Sequence, residues 1–255
     1  MIRRELTLFL VAVQFLTRLP VPSFPAFETE WLDRSAKYFP LVGGLVGGIS
    51  AIALWSAMQV WPVYLAALIA VIAGIIATGC FHEDGLADTA DGLGGGLTVE
   101  RRLEIMKDSR IGTYGAVALM LALALKVTAI ASLELASAIG ALIAAHASAR
   151  LATVVAIQAM PYAGDFDAAK VKPLATGVTE RELIVAAAFG LAPTFLIDPA
   201  CFVIGLAGGA IPALLLAFQS KRLIGGYTGD VLGAIEQVFE IGFLLAVVAA
   251  GQHSH

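Results

Sequence analysis

The stretch His82-Glu83-Asp84-Gly85-Leu86-Ala87-Asp88-Thr89-Ala90-Asp91-Gly92 holds four carboxylates and no Lys or Arg. Like charges packed this closely repel, and more strongly where the dielectric is low. Divalent cations are the usual compensation, and oxygen ligands select Mg²⁺, Mn²⁺ or Ca²⁺ over zinc. Asp84, Asp88 and Asp91 are spaced by four and three residues. On a helix they share one face. Mg²⁺ takes a few carboxylates together with phosphate oxygens and water, so this face suits a pyrophosphate-bearing substrate. Glu83 points elsewhere on such a helix and can serve a second ion. Gly85 and Gly92 argue against a regular helix throughout, so part of the segment is expected as loop. The bland reading is a solvated acidic loop.

The residues that follow extend the chemistry. Gly94-Gly95-Gly96 suits a backbone that approaches phosphate, or equally a plain linker. In Lys107-Asp108-Ser109-Arg110, the two cations can clamp phosphate oxygens, and Asp108 can serve as base or metal ligand. Arg101 and Arg102 read more simply as membrane-surface anchors. Asp230, in Gly226-Tyr227-Thr228-Gly229-Asp230, is either a helix N-terminal cap or a further ligand.

These residues must be carried by a membrane protein. The chain has 255 residues, 59% hydrophobic and 14% charged, with a mean hydropathy of +0.86. Soluble domains carry about a quarter charged residues. The net charge of −4 gives no reason to expect nucleic-acid binding. Cys80 and Cys201 are distant, without metal-ligand spacing, and read as core or lipid-facing residues. The N-terminal apolar run continues into Thr17-Arg18-Leu19-Pro20, which does not look like a signal-peptide cleavage site.

A spanning helix needs about 20 apolar residues. The sequence predicts spans at 39–60, 63–81, 115–133, 136–158, 183–197, 200–217 and 231–250. A shorter stretch, 6–16, is expected to lie in the interface or to enter the bilayer only partly. The fold class is therefore all-α, a polytopic integral membrane helical bundle of about seven transmembrane helices plus a short N-terminal helix. The chain reads as one membrane domain, 1–255, with its active-site segment at 82–114.

The connections Trp61-Pro62, Glu134-Leu135 and Asp198-Pro199 contain no Lys or Arg. Arg3, Arg4, Arg18, Arg34, Lys37, Arg101, Arg102, Lys107, Arg110, Lys170, Lys172, Arg181, Lys221 and Arg222 fall on the other side. That side is the cytoplasmic one by the positive-inside rule. Lys126, His146, Arg150, Glu236 and Glu240 lie inside spans, where ionisable groups face the bundle interior or a cavity. Arg150 paired with a Glu is the structural reading. Gly43-Gly44-Leu45-Val46-Gly47-Gly48 carries two overlapping small-xxx-small patterns for close helix packing.

Three strings together resemble the cobalamin synthase family, the adenosylcobinamide-GDP ribazoletransferases. They are His82 to Gly95, Lys107-Asp108-Ser109-Arg110-Ile111-Gly112-Thr113-Tyr114-Gly115, and Gly226 to Asp230. Phe15-Leu16-Thr17-Arg18-Leu19-Pro20 and Phe39-Pro40-Leu41-Val42-Gly43 also look like that family. The resemblance runs from near the start of the chain to the last span, with variation expected at positions such as Glu83. It implies that adenosylcobinamide-GDP and α-ribazole, or its 5′-phosphate, give adenosylcobalamin, or its 5′-phosphate, and GMP. It implies Mg²⁺ as cofactor and the prokaryotic inner membrane as location, with the site facing the cytoplasm. On this reading Glu83, Asp84, Asp88 and Asp91 hold metal, and Gly94, Gly95, Tyr227 and Asp230 line the substrate site. Lys107 and Arg110 stabilise charge, and His82 or Asp108 is the general base. Further copies of the chain and other enzymes of the pathway are candidate partners.

Two other classes share some of these features. CDP-alcohol phosphotransferases and prenyltransferases also carry spaced aspartates, but here Ala87 is followed by Asp88 rather than by the Arg of the former. A transporter would bury its ionisable groups near the midplane of paired halves, and no repeat of two halves is visible.

Overall fold

A computed structural model describes residues 2–22, 29–164 and 177–252. Lys170 and Lys172, counted on the basic side, lie outside the described residues. Among the described residues the regular structure is helical. In chain order the helices are α1 (Ile2–Leu16), α2 (Thr29–Ser35), α3 (Phe39–Ala57), α4 (Val63–Thr78), α5 (Phe81–Gly95) and α6 (Val99–Met106). They continue with α7 (Thr113–Ala131), α8 (Leu135–Ala159), α9 (Glu180–Leu191), α10 (Pro199–Ile224) and α11 (Gly229–Gln252).

Among the described residues, five helices are long and apolar enough to cross a membrane: Glu30–Ala57, which joins α2 and α3 through a short 3₁₀ turn, then α7, α8, α10 and α11. The polytopic all-α bundle is as expected, but two of the predicted spans take another form. At 183–197, α9 is 12 residues long and gives way to a 3₁₀ turn, Ala192–Leu196, with Pro193 near its start. Proline lacks the N–H that would continue the helix. At 63–81, α4 stops at Thr78 and α5 leaves at 90° to it, so the pair is one broken span or a re-entrant loop. The corner is made by Gly79 (φ +68°) and Cys80 (φ +62°), both left-handed. Only glycine takes that conformation without steric cost. A Cβ at Gly79 would also meet the Arg18 side chain, whose backbone N–H donates to the Ala77 carbonyl at 2.7 Å.

α1 is 15 residues long, too short to cross, and turns Leu8, Val11, Ala12 and Leu16 into the core. Helix ends are satisfied locally. Thr179 and Glu182 form a capping box on α9, and the Asp198 carboxylate accepts from Ala200 and Cys201 at the start of α10. The glycine-rich start of α3 packs on α8, and only one of its two patterns faces the partner. A Cβ on Gly47 would sit 2.7 Å from Ile143 Cα and Leu142 O, whereas one on Gly48 would meet nothing within 4 Å. Gly47→Leu is therefore expected to destabilise the folded protein by about 1–3 kcal/mol or more, and Gly48→Leu to be neutral. Thermal unfolding in detergent checks the pair, and equal behaviour of the two variants would refute the packing.

Candidate functional site

The acidic segment is continuous helix. α5 runs unbroken from Phe81 to Gly95, so the loop expected at Gly85 and Gly92 is absent. Those glycines admit close neighbours instead. A Cβ at Gly85 would lie 2.7 Å from the Asp230 carbonyl oxygen, and one at Gly92 would strike Met106. Helix α11 thus begins against the first turn of α5, and α6 folds back on its C-terminal half. Two of the segments singled out in the sequence, 82–95 and 226–230, meet at Gly85.

α5 keeps Asp84, Asp88 and Asp91 on one face and Glu83 off it, but their surroundings differ. Asp84 is exposed and Asp88 half-buried, one turn apart on the same face. Asp91 is buried, and its two oxygens accept from the backbone N–H groups of Gly112 (2.7 Å) and Gly115 (2.9 Å). It anchors the N-terminus of α7, where the helix dipole favours an anion. Asp91→Ala would leave both donors without an acceptor and is expected to destabilise by about 1–3 kcal/mol, while Asp91→Asn loses less. Chemical denaturation in detergent reads the difference, and an unperturbed Ala variant would contradict the anchoring role.

Glu83 and His82 face inward. Glu83 is buried and accepts from Gln237 Nε2 at 3.2 Å. His82 Nδ1 lies 3.8 Å from Glu236 Oε2. Both enter a network of ionisable groups inside the bundle. Lys126 on α7 reaches Glu240 Oε2 at 2.6 Å, and Arg150 on α8 reaches Glu236 Oε1 at 2.7 Å. His146 Nδ1 lies 2.5 Å from Glu240 Oε1. The expected pairing of Arg150 with a Glu is borne out. Among the described residues, His146, Glu236 and Glu240 form a group whose ligand atoms all lie within 4.8 Å of one another. Their carboxylates are already engaged by Lys126 and Arg150. The sequence flagged these charges one by one, but their meeting is a product of tertiary packing across α7, α8 and α11.

The remaining predicted residues divide the same way. Lys107, at the C-terminal end of α6, is exposed. Arg110 is exposed and forks onto Asp108, with Nη2 to Oδ2 at 2.6 Å and Nε to Oδ1 at 3.0 Å. These bonds pull the Asp108 carboxyl down to about 2. Asp108 is thus ionised at neutral pH and too weak a base to take a proton there. Gly94 lies under the ring of Tyr114, where a Cβ would stand 3.0 Å from it, and Gly95 has ordinary room beside Ile105. Tyr227 is fully buried. Its N–H donates to the Pro161 carbonyl at 3.0 Å, and its carbonyl accepts from Ala163 at 2.8 Å. Its ring meets Tyr162 edge-on, and burial with nearby Asp33 pushes its hydroxyl up to about 12. Thr228 Oγ1 accepts from Val231 N–H at 3.3 Å and so caps α11, while Asp230 sits in the first turn, half-buried.

Asp84 and Asp88 therefore form the outward carboxylate pair. A helix-borne set of oxygen donors at an open surface fits Mg²⁺, which keeps water and phosphate in its remaining positions. The fit is to an ion shared with substrate, since two carboxylates do not make a closed protein cage.

The chain was compared with known proteins. Residues 8–248 match the family model described as Cobalamin-5-phosphate synthase. A protein from Leptothrix cholodnii named "Adenosylcobinamide-GDP ribazoletransferase" is 45% identical, with 96% of each chain covered. A protein of the same name from Shewanella frigidimarina is 44% identical, covering 97% of this chain and 96% of its own. One from Shewanella woodyi is 43% identical over 97% of each. No solved structure matches the chain.

Proposed function

The chain belongs to the cobalamin-5-phosphate synthase family of transferases, and from that we propose that it joins adenosylcobinamide-GDP to α-ribazole, or to α-ribazole 5′-phosphate. The products are adenosylcobalamin, or its 5′-phosphate, and GMP. The ribazole hydroxyl attacks the phosphorus nearer the corrinoid. A P–O bond forms there, the bond to GMP breaks, GMP leaves with the electron pair, and the hydroxyl gives up its proton. The observation that carries this reading is the outward pair Asp84 and Asp88 on α5, set by a helix whose other carboxylates are turned inward or tied to α7.

In this reading Asp84 and Asp88 hold Mg²⁺. When bound, the ion supplies charge neutralisation for the pyrophosphate and the leaving phosphate. Asp91 fixes the start of α7 and so the 107–112 loop beside the site. Lys107 binds phosphate oxygens from that loop. Arg110 does so only by parting from Asp108, an exchange of one anion for another at the surface. Asp230 and Gly85 set the approach of α11 behind the substrate face. The basic connections support a cytoplasmic orientation for this surface, at the inner membrane.

The experiment is conversion of adenosylcobinamide-GDP and α-ribazole by the purified protein in detergent, followed by the appearance of the joined corrinoid. Conversion that needs both substrates supports the reading. Absence of product from folded protein with Mg²⁺ present would remove it.

A further inference from the structure

A small cavity lies inside the bundle behind α5, lined among others by Ser50, Glu83, Lys126, Arg150, Glu236, Gln237 and Glu240. It has about 30 Å³ of room, enough for a water or a small ion. Its charges do not cancel pair by pair. Lys126 is matched to Glu240 at 2.6 Å and Arg150 to Glu236 at 2.7 Å. Glu83 is a third carboxylate, and among the described residues no ion pair within 4 Å sets a basic side chain against it. Setting the two imidazoles aside, the lining holds three carboxylates and two basic side chains. A buried uncompensated charge is expensive.

The cavity also presents oxygens without donors. Glu83 Oε2, Gln237 Oε1 and Ser50 Oγ are buried and have no hydrogen-bond partner. Glu83 is 8% exposed, Gln237 2% and Ser50 1%. The Gln237 amide spends its N–H₂ on Glu83 Oε1 (3.2 Å) and Glu236 Oε2 (3.0 Å). Its carbonyl oxygen is thereby left as an acceptor beside two carboxylates. A neutral or hydroxyl oxygen grouped with one surplus carboxylate is the donor set of a hard cation. The third carboxylate suits one positive charge and the volume a small one.

We propose that this cavity binds a monovalent cation of sodium's size through Glu83 and Gln237. The site is distinct from the Asp84 and Asp88 face, which lies on the outer side of the same helix. It ties α5 to α11 at the level where α5 leaves α4.

The test is thermal unfolding of the full chain in neutral detergent with EDTA and no substrate. Sodium chloride is compared with potassium chloride and choline chloride at one ionic strength. The expected result is a saturable rise in Tm with sodium, smaller with potassium and absent with choline. Asp88→Asn is expected to keep the rise, and Glu83→Gln to lose it. Equal Tm in all three salts overturns the proposal, and leaves a proton or water as what completes the cavity. A sodium rise that persists in Glu83→Gln overturns it too. Should Glu83→Gln fail to fold, Gln237→Met takes its place. The readout involves no turnover, so it stands apart from the outcome of the transfer assay.

Discussion

Asp84→Asn and Asp88→Asn are each expected to lower turnover about a thousandfold or more, with the protein still inserted and folded. A bound metal contributes several kcal/mol of charge stabilisation at a phosphoryl centre, and each 1.36 kcal/mol is tenfold in rate. Thermal unfolding of each variant in detergent separates a loss of turnover from a loss of stability. Asp84 is exposed and Asp88 half-buried. Raising Mg²⁺ is expected to recover part of the activity, since the amide weakens binding without blocking the site. Initial rates against Mg²⁺ concentration decide the matter. Full activity in either variant at low Mg²⁺ would take that residue out of the metal site.

Arg150→Met is expected to be the most destabilising single change in the interior. Arg150 is 1% exposed, and its Nη1 lies 2.7 Å from Glu236 Oε1 and 3.4 Å from Glu240 Oε1. Removing it leaves carboxylates buried without their cation, a change of about 3–5 kcal/mol where such pairs are broken. The double variant Arg150→Met with Glu236→Leu removes the stranded charge and should recover a large share. Denaturation of the three proteins in detergent measures both steps. A single variant as stable as the parent would show that the network is not held by this pair.

Much of this was legible in the residues. Spacing by four and three placed Asp84, Asp88 and Asp91 on one side of a helix and Glu83 off it, and α5 keeps that relation. Lys126, Arg150, Glu236 and Glu240 stood out as charges in apolar helices, and they do face the interior. Other features have no local signal. A 16-residue apolar run followed by Gly79-Cys80 reads as the end of a span, and nothing in it announces a 90° turn. That turn lays α5 against α11 and sends Glu83 and His82 inward, off the face that carries Asp84 and Asp88. Asp91 shares that face but is engaged by two backbone N–H groups 21 and 24 residues further on, a contact that no local pattern encodes. Gly85 and Gly92 looked like helix breakers because a sequence shows the missing side chain and not the neighbour that fills its place. Tyr227 belongs to a family-like string, yet its ring supports the Pro161 to Ala163 segment from within.

The most direct measurement is GMP release by the purified protein given adenosylcobinamide-GDP, α-ribazole and Mg²⁺, repeated with EDTA and again with Mg²⁺ restored. The account predicts release only with both organic substrates, its loss in EDTA, and its return with Mg²⁺. Release that continues unchanged in EDTA would contradict a metal site on Asp84 and Asp88, and no release under any condition from folded protein would contradict the transferase itself.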